Sequence, residues 1–284
     1  FYYDIDNNMS TEELIIKDIK RTIDDSDITY TTSPIEVNFE YSNFGKYQVV
    51  GFMADKYFAG YKNSTIPGPT NSFGDINTLS QGQLHKVLTD EDIKRTISVG
   101  GTLALKDGYV LKATDIDLNA RTMLLVLLKD GVEVDSTPLS KDQTYVYKKR
   151  VGSVDSLPLI LVRFDNVFSG QESQVAFLKG IFQISETATS IKVGDRYSKM
   201  EVSSIDNNKI VMKNRESIGL SSKTTINLMG DLKIIVADSG TLRFALSVER
   251  KGTFEVRGTV YPITNQWTPM NFGLDVGGKN IGFY

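Results

Sequence analysis

Short apolar runs separated by turn-forming residues constrain this chain more than any other feature of its sequence. Typical runs are residues 47–52, 159–164, 175–184 and 232–236, and turn residues recur at spacings of about ten residues. Runs of this length are typical of strands, and a chain that joins many of them forms a β-sandwich or a barrel. The sequence therefore predicts an all-β, mainly antiparallel fold. At 284 residues, it is long enough for one large or two medium domains.

Two Asp-Gly pairs, Asp107-Gly108 and Asp130-Gly131, predict tight hairpins because both residue types accept positive φ angles. The second pair joins residues 122–128 to residues 132–135. The first of these segments is almost continuously apolar, which predicts a central strand covered on both faces. The second alternates, which predicts a neighbouring strand with one solvent-exposed face.

One or two short helices are predicted. Ser10 and Glu13 have the spacing of a capping box, although residues 13–17 could equally form a strand. Residues 83–88 favour one or two helical turns, which would place His85 at the surface or leave it half-buried.

Two polar stretches predict breaks in the fold. Residues 61–83 are rich in Asn, Ser, Gly, Pro and Thr and predict a long exposed loop. Residues 185–190 form a polar run between two β-rich blocks and predict a boundary between them.

The composition removes several classes of function. The chain has no cysteine and one histidine, so thiolate chemistry and histidine-cluster metal sites are excluded. Its net charge is -3 and its basic residues are scattered, which argues against binding nucleic acid. Lys148-Lys149-Arg150, the densest basic cluster, is best interpreted as a solvated strand end. No apolar stretch has the roughly 18 residues that cross a bilayer, so we expect that this piece is not itself embedded in a membrane.

Three segments share an Asp/Ile/Asn pattern, at residues 4–8, 115–119 and 204–208. Asp-x-Asp-x-Asn matches the first ligands of a calcium loop, which makes calcium candidates of Asp4, Asp6, Asp115, Asp117 and Asn119. Met9 and Ala120 stand where such a loop needs glycine, and no Glu occupies the twelfth position. Turn formation by the Asp and Asn side chains is the favoured interpretation. We therefore expect no metal and no cofactor, with structural calcium as the alternative.

Catalytic motifs are missing, so we expect a protein that is not an enzyme. The sequence contains no phosphate-binding glycine loop, no Gly-x-Ser-x-Gly and no His-Glu-x-x-His. Aromatic side chains could line a sugar-binding surface, but packing within the sheets is the favoured role. Asn63 and Asn8 begin Asn-x-Ser/Thr tripeptides and are the candidate glycosylation sites.

The two ends of the chain suggest duplication. Phe283-Tyr284 repeats Phe1-Tyr2, as expected for a unit of a tandem array. An adjacent tandem copy is therefore an expected partner.

An ordered set of motifs resembles the S-layer duplication domain of methanogenic archaea. The motifs cover essentially the whole chain, and none is specific alone. They are residues 1–6 followed by 12–14, 51–57, 108–111 with 115–117, 128–131, 256–258 and 267–273. One departure is the segment 273–282, which is longer than the family's short join.

The resemblance implies an extracellular structural subunit that tiles into a porous lattice forming the cell envelope. It also implies two β-sandwich-like domains, with the signal, stalk and anchor outside this unit. We expect residues 97–186 to form a sandwich inserted into a larger one built from residues 1–96 and 187–284, with a serial layout as the alternative. The competing function is an extracellular adhesive or carbohydrate-binding β-module, with or without calcium.

Overall fold

The computed structural model describes residues 3–4, 9–62, 75–169, 174–248, 272–276 and 279–283. Within them the fold is all-β, as predicted, and every strand pair is antiparallel. The described helices are two single 3₁₀ turns, Ser42–Phe44 and Leu79–Gln81. The strands are β1 Tyr3–Asp4, β2 Met9–Ser10, β3 Glu12–Ile16, β4 Thr22–Ile23, β5 Ile28–Thr32, β6 Ile35–Asn38, β7 Lys46–Phe52, β8 Asp55–Tyr61, β9 Ile76–Asn77, β10 Gln83–Glu91, β11 Arg95–Ser98, β12 Thr102–Ala104, β13 Tyr109–Asp117, β14 Thr122–Lys129, β15 Val132–Ser140, β16 Thr144–Val151, β17 Val154–Ser169, β18 Gln174–Ser190, β19 Arg196–Tyr197, β20 Met200–Ile205, β21 Ile210–Asn214, β22 Ile218–Gly219, β23 Thr225–Met229, β24 Leu232–Val236, β25 Phe244–Val248, β26 Phe272–Val276 and β27 Lys279–Phe283.

A nine-stranded sheet forms the centre of the molecule. Its main path runs β16-β17-β18-β10-β8-β7-β6, with β11 added to β18 and β9 added to β8. Strands β17 and β18 are 16 and 17 residues long, much longer than the apolar runs that predicted them. The polar run at residues 185–190, which predicts a boundary between two β-rich blocks, continues β18. Backbone pairing with β10 holds it in the sheet and leaves most of its side chains at the surface.

Smaller sheets lie around this one. A four-stranded sheet has the order β12-β13-β14-β15, a five-stranded sheet has the order β19-β20-β21-β5-β3, and a three-stranded sheet has the order β23-β24-β25. Strands β1 and β2, β4 and β22, and β26 and β27 form separate pairs.

The two Asp-Gly hairpins are confirmed. Asp107 and Gly108 have φ of 53° and 72°, and Asp130 and Gly131 have φ of 51° and 84°. Strand β14 is central in its sheet as predicted, with Leu125 and Leu127 fully buried. The start of β15 differs from the prediction, since its apolar and polar residues are all exposed there. Among the described strands it lies at the edge of its sheet, next to β14 alone.

Two hydrophobic cores share the central strands. In β7, Tyr47 and Val49 belong to the core beneath the four-stranded sheet, whereas Val50 and Phe52 belong to the core beneath the five-stranded sheet. Strands β8 and β10 divide their side chains between the two cores in the same way. Because successive side chains on a strand point to opposite faces, one sheet can separate two cores.

An aromatic cluster fills the first core. Phe182 of β18 lies 4.8 Å from Phe39 and 4.9 Å from Tyr47 between ring centroids, and its ring also contacts Phe58 and Tyr61. Phe182 itself is fully buried. The cluster therefore connects β18 to β7 and β8, which are distant in sequence.

Both predicted helices are strands in the structure. Residues 12–16 form β3, and residues 83–91 form β10, which lies between β8 and β18. Leu84 and His85 are both buried, Leu84 in the second core, because β10 is covered on both faces. In β10, pairing with a strand on each side outweighs the weak local helical signal.

The predicted exposed loop at 61–83 is only partly described. Tyr61 and Leu79 are buried, and residues 63–74 lie outside the described residues. Tyr61 donates a hydrogen bond from its hydroxyl to the backbone oxygen of Pro158, at 3.0 Å. The ends of this segment are therefore part of the core.

The domain layout stays a prediction. Its boundaries, near residues 96 and 187, lie within β11 and β18 of the central sheet. Strands from the first part of the chain pair with strands from the last part, as β5 with β21 and β4 with β22.

Candidate functional site

Side chains from the five-stranded sheet hold the β7–β8 hairpin in place. Thr11 accepts a hydrogen bond from the backbone nitrogen of Gly51 at 2.8 Å, and the Thr32 hydroxyl donates to the Gly51 oxygen at 2.6 Å. Both backbone groups of one residue in β7 are thereby bonded to side chains from the neighbouring layer. This contact fixes the central sheet against the five-stranded sheet.

Glu12 is the buried centre of the same contact. Its Oε1 accepts hydrogen bonds from the Tyr30 hydroxyl at 2.6 Å and from the backbone nitrogen of Ala54 at 3.0 Å. Tyr30 also accepts a hydrogen bond from the backbone nitrogen of Met53 at 3.2 Å. Met53 and Ala54 have φ of 51° and 69°, so this carboxylate helps to hold a turn of left-handed residues. Burial, followed by the neighbouring Glu12, raises the pKa of Tyr30 far above its usual value, so the hydroxyl stays a donor.

A second group of polar side chains joins the four-stranded sheet to the central sheet. Glu186 of β18 accepts hydrogen bonds from the Tyr109 hydroxyl at 2.6 Å and from Lys149 Nζ at 2.9 Å. Lys129 lies 3.7 Å from its other carboxylate oxygen and also donates to the backbone oxygen of Asp107. These residues come from β13, β14, β16 and β18 and the turn before β13. We call this group the Glu186 joint.

The two Asp-Gly hairpins position the Glu186 joint. Because both turns are tight, Asp107 and Lys129 lie next to each other at the same end of the sheet. Nearby, the side-chain amide of Gln183 bonds both the backbone nitrogen and the backbone oxygen of Lys106, at 2.9 and 3.0 Å. The end of the four-stranded sheet is therefore fastened to β18 at several points.

The Glu186 joint favours the ionised carboxylate. Burial is the largest single influence and pushes the pKa of Glu186 up. The hydrogen bonds from Tyr109 and Lys149 and the charges of Lys149 and Lys129 outweigh it and hold the pKa below its usual value. The ionised group therefore stabilises the fold above about pH 4.5, and that contribution is lost as the pH falls through the lower pKa of the folded state.

We expect Glu186→Gln to lower the free energy of unfolding by about 1 kcal/mol at pH 7, because one charge-assisted bond and its ion pairs are weakened. At pH 3 the difference from the unchanged chain should shrink, because pH 3 lies below the ordinary pKa of 4.5 and the unfolded chain there binds a proton at Glu186. Urea unfolding at both pH values measures this. Glu133→Gln, on the exposed start of β15, is the matched control and should leave both values unchanged. An equal loss at both pH values would contradict an ionic role for Glu186.

The repeated Asp/Ile/Asn pattern forms turns at two of its three copies. Asp117 Oδ1 accepts hydrogen bonds from the backbone nitrogens of Asn119 and Ala120, at 2.8 and 3.0 Å. Asp206 Oδ1 does the same with Asn208 and Lys209, at 2.8 and 3.0 Å. The turn interpretation is confirmed at these two copies.

The candidate ligands are distributed as follows. Asp115, Asp117 and Asn119 are exposed at the end of β13 and in the turn after it, and Asp4 lies in β1. Asp6, Asn8 and Asn63 lie outside the described residues. In the part of the chain that is described, no three carboxylate or histidine side chains are grouped as a metal site requires. Calcium binding and glycosylation stay untested predictions.

His85 is fully buried, not at the surface as the helical interpretation implied. Its Nδ1 lies 2.8 Å from the backbone oxygen of Ser185. Sequence reasoning also missed the roles of Glu12 and Glu186. One feature of the sequence could have indicated these roles. Glu12 and Glu186 both lie in or next to runs of strand-forming residues, where a buried carboxylate requires hydrogen-bond partners.

Several large apolar side chains are exposed on the described surface. Phe168 is 59% exposed, Val132 67% and Val193 64%. They lie on different elements, at the end of β17, at the start of β15 and before β19. No helix in the described ranges is long and apolar enough to cross a membrane.

Comparison with known families decides what kind of protein this is. Residues 1–238 match the family model described as S-layer protein. The chain belongs to the S-layer protein family. It is 31% identical to the major S-layer protein of Methanosarcina barkeri, over 96% of this chain and 41% of that protein. It is 30% identical to the major S-layer protein of Methanosarcina acetivorans, over 92% of this chain and 39% of that protein.

A third relative, the major S-layer protein of Methanosarcina mazei, is 28% identical over 96% of this chain and 41% of its own length. The chain thus spans about two fifths of the length of these curated relatives. The S-layer family inferred from the sequence is confirmed, and with it the predicted cell-surface location.

Proposed function

We propose that this chain is a rigid tile of an archaeal surface layer, which associates with further copies into a porous two-dimensional lattice. The match of residues 1–238 to the S-layer family carries this proposal. The proposal includes an adjacent tandem copy, attachment to the membrane through an anchor outside this chain, and the absence of catalysis and of any cofactor.

The packing of the sheets supports a rigid tile. The central sheet contributes to both cores, and polar contacts fasten it to the four-stranded sheet at Glu186 and to the five-stranded sheet at Glu12. Layers fixed at several separate points resist sliding. A lattice that bears mechanical stress needs subunits of this kind.

Electron microscopy tests the lattice. The purified chain, concentrated and adsorbed to a surface, should form ordered sheets with a regular repeat. Light scattering of the same sample should show self-association that increases with concentration. A chain that stays strictly monomeric under all of these conditions would count against the proposal.

A glycan array and a calcium titration test the adhesive alternative. A lattice tile should leave the array silent, and its thermal unfolding should not shift when calcium is added. Specific glycan binding, or a calcium-dependent rise in the unfolding temperature, would support the adhesive module instead. The exposed Asp115 and Asp117 are then the first residues to change to alanine.

A further inference from the structure

Strand β18 has a bulge of three residues where it passes β10. His85 is opposite Ala188 and Val87 is opposite Ile184, so Lys86 alone faces residues 185–187. A bulge removes backbone groups from the regular ladder, and those groups must bond elsewhere. Side chains that bond these displaced groups therefore hold the bulge in place.

The ring of His85 bonds one of the displaced backbone groups. Its Nδ1 lies 2.8 Å from the backbone oxygen of Ser185. Because a carbonyl oxygen only accepts, Nδ1 carries the proton in the neutral ring. Nε2 is buried and has no hydrogen-bond partner among the described residues. The ring fits this place in its neutral form alone.

The same bulge positions the Glu186 joint. Ser185 donates a hydrogen bond from its hydroxyl to Asp107 Oδ2 at 3.0 Å and accepts one from the backbone nitrogen of Thr187 at 3.2 Å. Glu186, the middle residue of the bulge, contacts Tyr109 and Lys149. The ring, the bulge and the contact between the two sheets form one continuous set of hydrogen bonds.

We propose that His85 is a positioning residue whose neutral ring holds this bulge, and that protonation of the ring in mild acid opens the joint between the two sheets. The inference goes beyond the proposed lattice function and does not depend on it. It rests on the register of the bulge, the bond to Ser185 and the unpartnered Nε2.

Protonation is unfavourable in the closed state because it would place a charge in a buried site and an N–H at Nε2, which has no acceptor in the described part of the chain. Burial lowers the pKa of His85 below 6.5, and the bond to Ser185 opposes this only in part. A lowered pKa means that the closed state is fully favoured above pH 6.5 and loses stability as the pH falls from there to the pKa of the folded ring.

Titratable and charged groups from several elements surround the bulge. They are Asp107, Lys129, Asp130, Lys149 and Glu186, with Lys86 opposite the bulge on β10 and Tyr57 opposite Lys86 on β8. Glu186 has its pKa below 4.5, so it stays ionised between pH 7.5 and pH 5.5. Loss of its charge would act only at lower pH.

The experiment uses the whole chain, labelled at histidine, in NMR titration and hydrogen exchange. The chain has one histidine, so its ring signal needs no assignment by mutation. After correction for intrinsic exchange rates, opening at the amides of residues 185–188 should rise about tenfold between pH 7.5 and pH 5.5. The ring should titrate below 6.5.

His85→Asn is the informative variant, because its amide nitrogen can replace Nδ1 at Ser185 but cannot titrate. In this variant, the opening of the amides of residues 185–188 should be independent of pH between pH 7.5 and pH 5.5. Glu186→Gln should keep the pH dependence, since His85 is unchanged.

A folded-state ring pKa at or above 6.5, or the same pH dependence in the Asn variant, would overturn the proposal. If the Asn variant does not fold, two measurements on the unchanged chain test the proposal: the titration of the His85 ring and the opening of the amides of residues 185–188. The proposal is rejected if the pH range in which the amides open differs from the pH range expected from the ring pKa.

Discussion

Phe182→Ala should lower the free energy of unfolding by about 4 kcal/mol. Phe182 is fully buried, and its ring contacts Phe39, Tyr47, Phe58 and Tyr61. The substitution would remove the ring from the middle of the aromatic cluster and leave a cavity between β18 and the β7–β8 hairpin. Urea unfolding followed by tyrosine and tryptophan fluorescence and by circular dichroism measures the loss.

Phe168→Ala is the matched control for this change. It removes the same side chain from the same long hairpin, at a position that is 59% exposed. We expect a change within about 0.5 kcal/mol. Equal losses for the two variants would show that Phe182 does not have the central packing role assigned to it.

Glu12→Ala should lower the free energy of unfolding by about 3 kcal/mol. The change leaves the Tyr30 hydroxyl and the backbone nitrogen of Ala54 without the acceptor that they share. It also releases the turn at Met53 and Ala54, whose positive φ angles are unfavourable for side-chain-bearing residues. Chemical denaturation at pH 7 gives the magnitude, and hydrogen exchange at Ala54 should show local opening.

Glu13→Ala separates the role of the buried carboxylate from the loss of a charge. Glu13 is the next residue of β3, and it is exposed while Glu12 is buried. This variant should have nearly the stability of the unchanged chain. A loss as large as that of Glu12→Ala would mean that net charge or strand propensity, and not the buried contact, accounts for the effect.

Local features were predictable from the sequence because the interactions that produce them are local. The turns at Asp107-Gly108 and Asp130-Gly131 depend on two adjacent residues that accept positive φ. The turn at Asp117 depends on a side chain that bonds backbone groups two and three residues later. The strands could be recognised from runs of apolar and β-branched residues, without knowledge of their partners.

The strand at residues 83–88 could not be predicted from the sequence, because the interactions that form it are not local. The apolar spacing of these residues fits a helix as well as a strand, so local sequence does not distinguish the two. Backbone pairing of β10 with β8 and β18 does distinguish them. The same pairing buries His85, which no pattern around it indicated.

The sequence by itself determined the all-β class, the tight hairpins and the S-layer family, since each depends on residue types in order along the chain. Only the tertiary structure decided which carboxylates join the sheets and where the two cores lie. Tyr109 and Glu186 are 77 residues apart, and Glu12 and Ala54 are 42 residues apart. Contacts across such separations depend on the register of several strands at once, and a single change of register would move each side chain to the other face of its sheet.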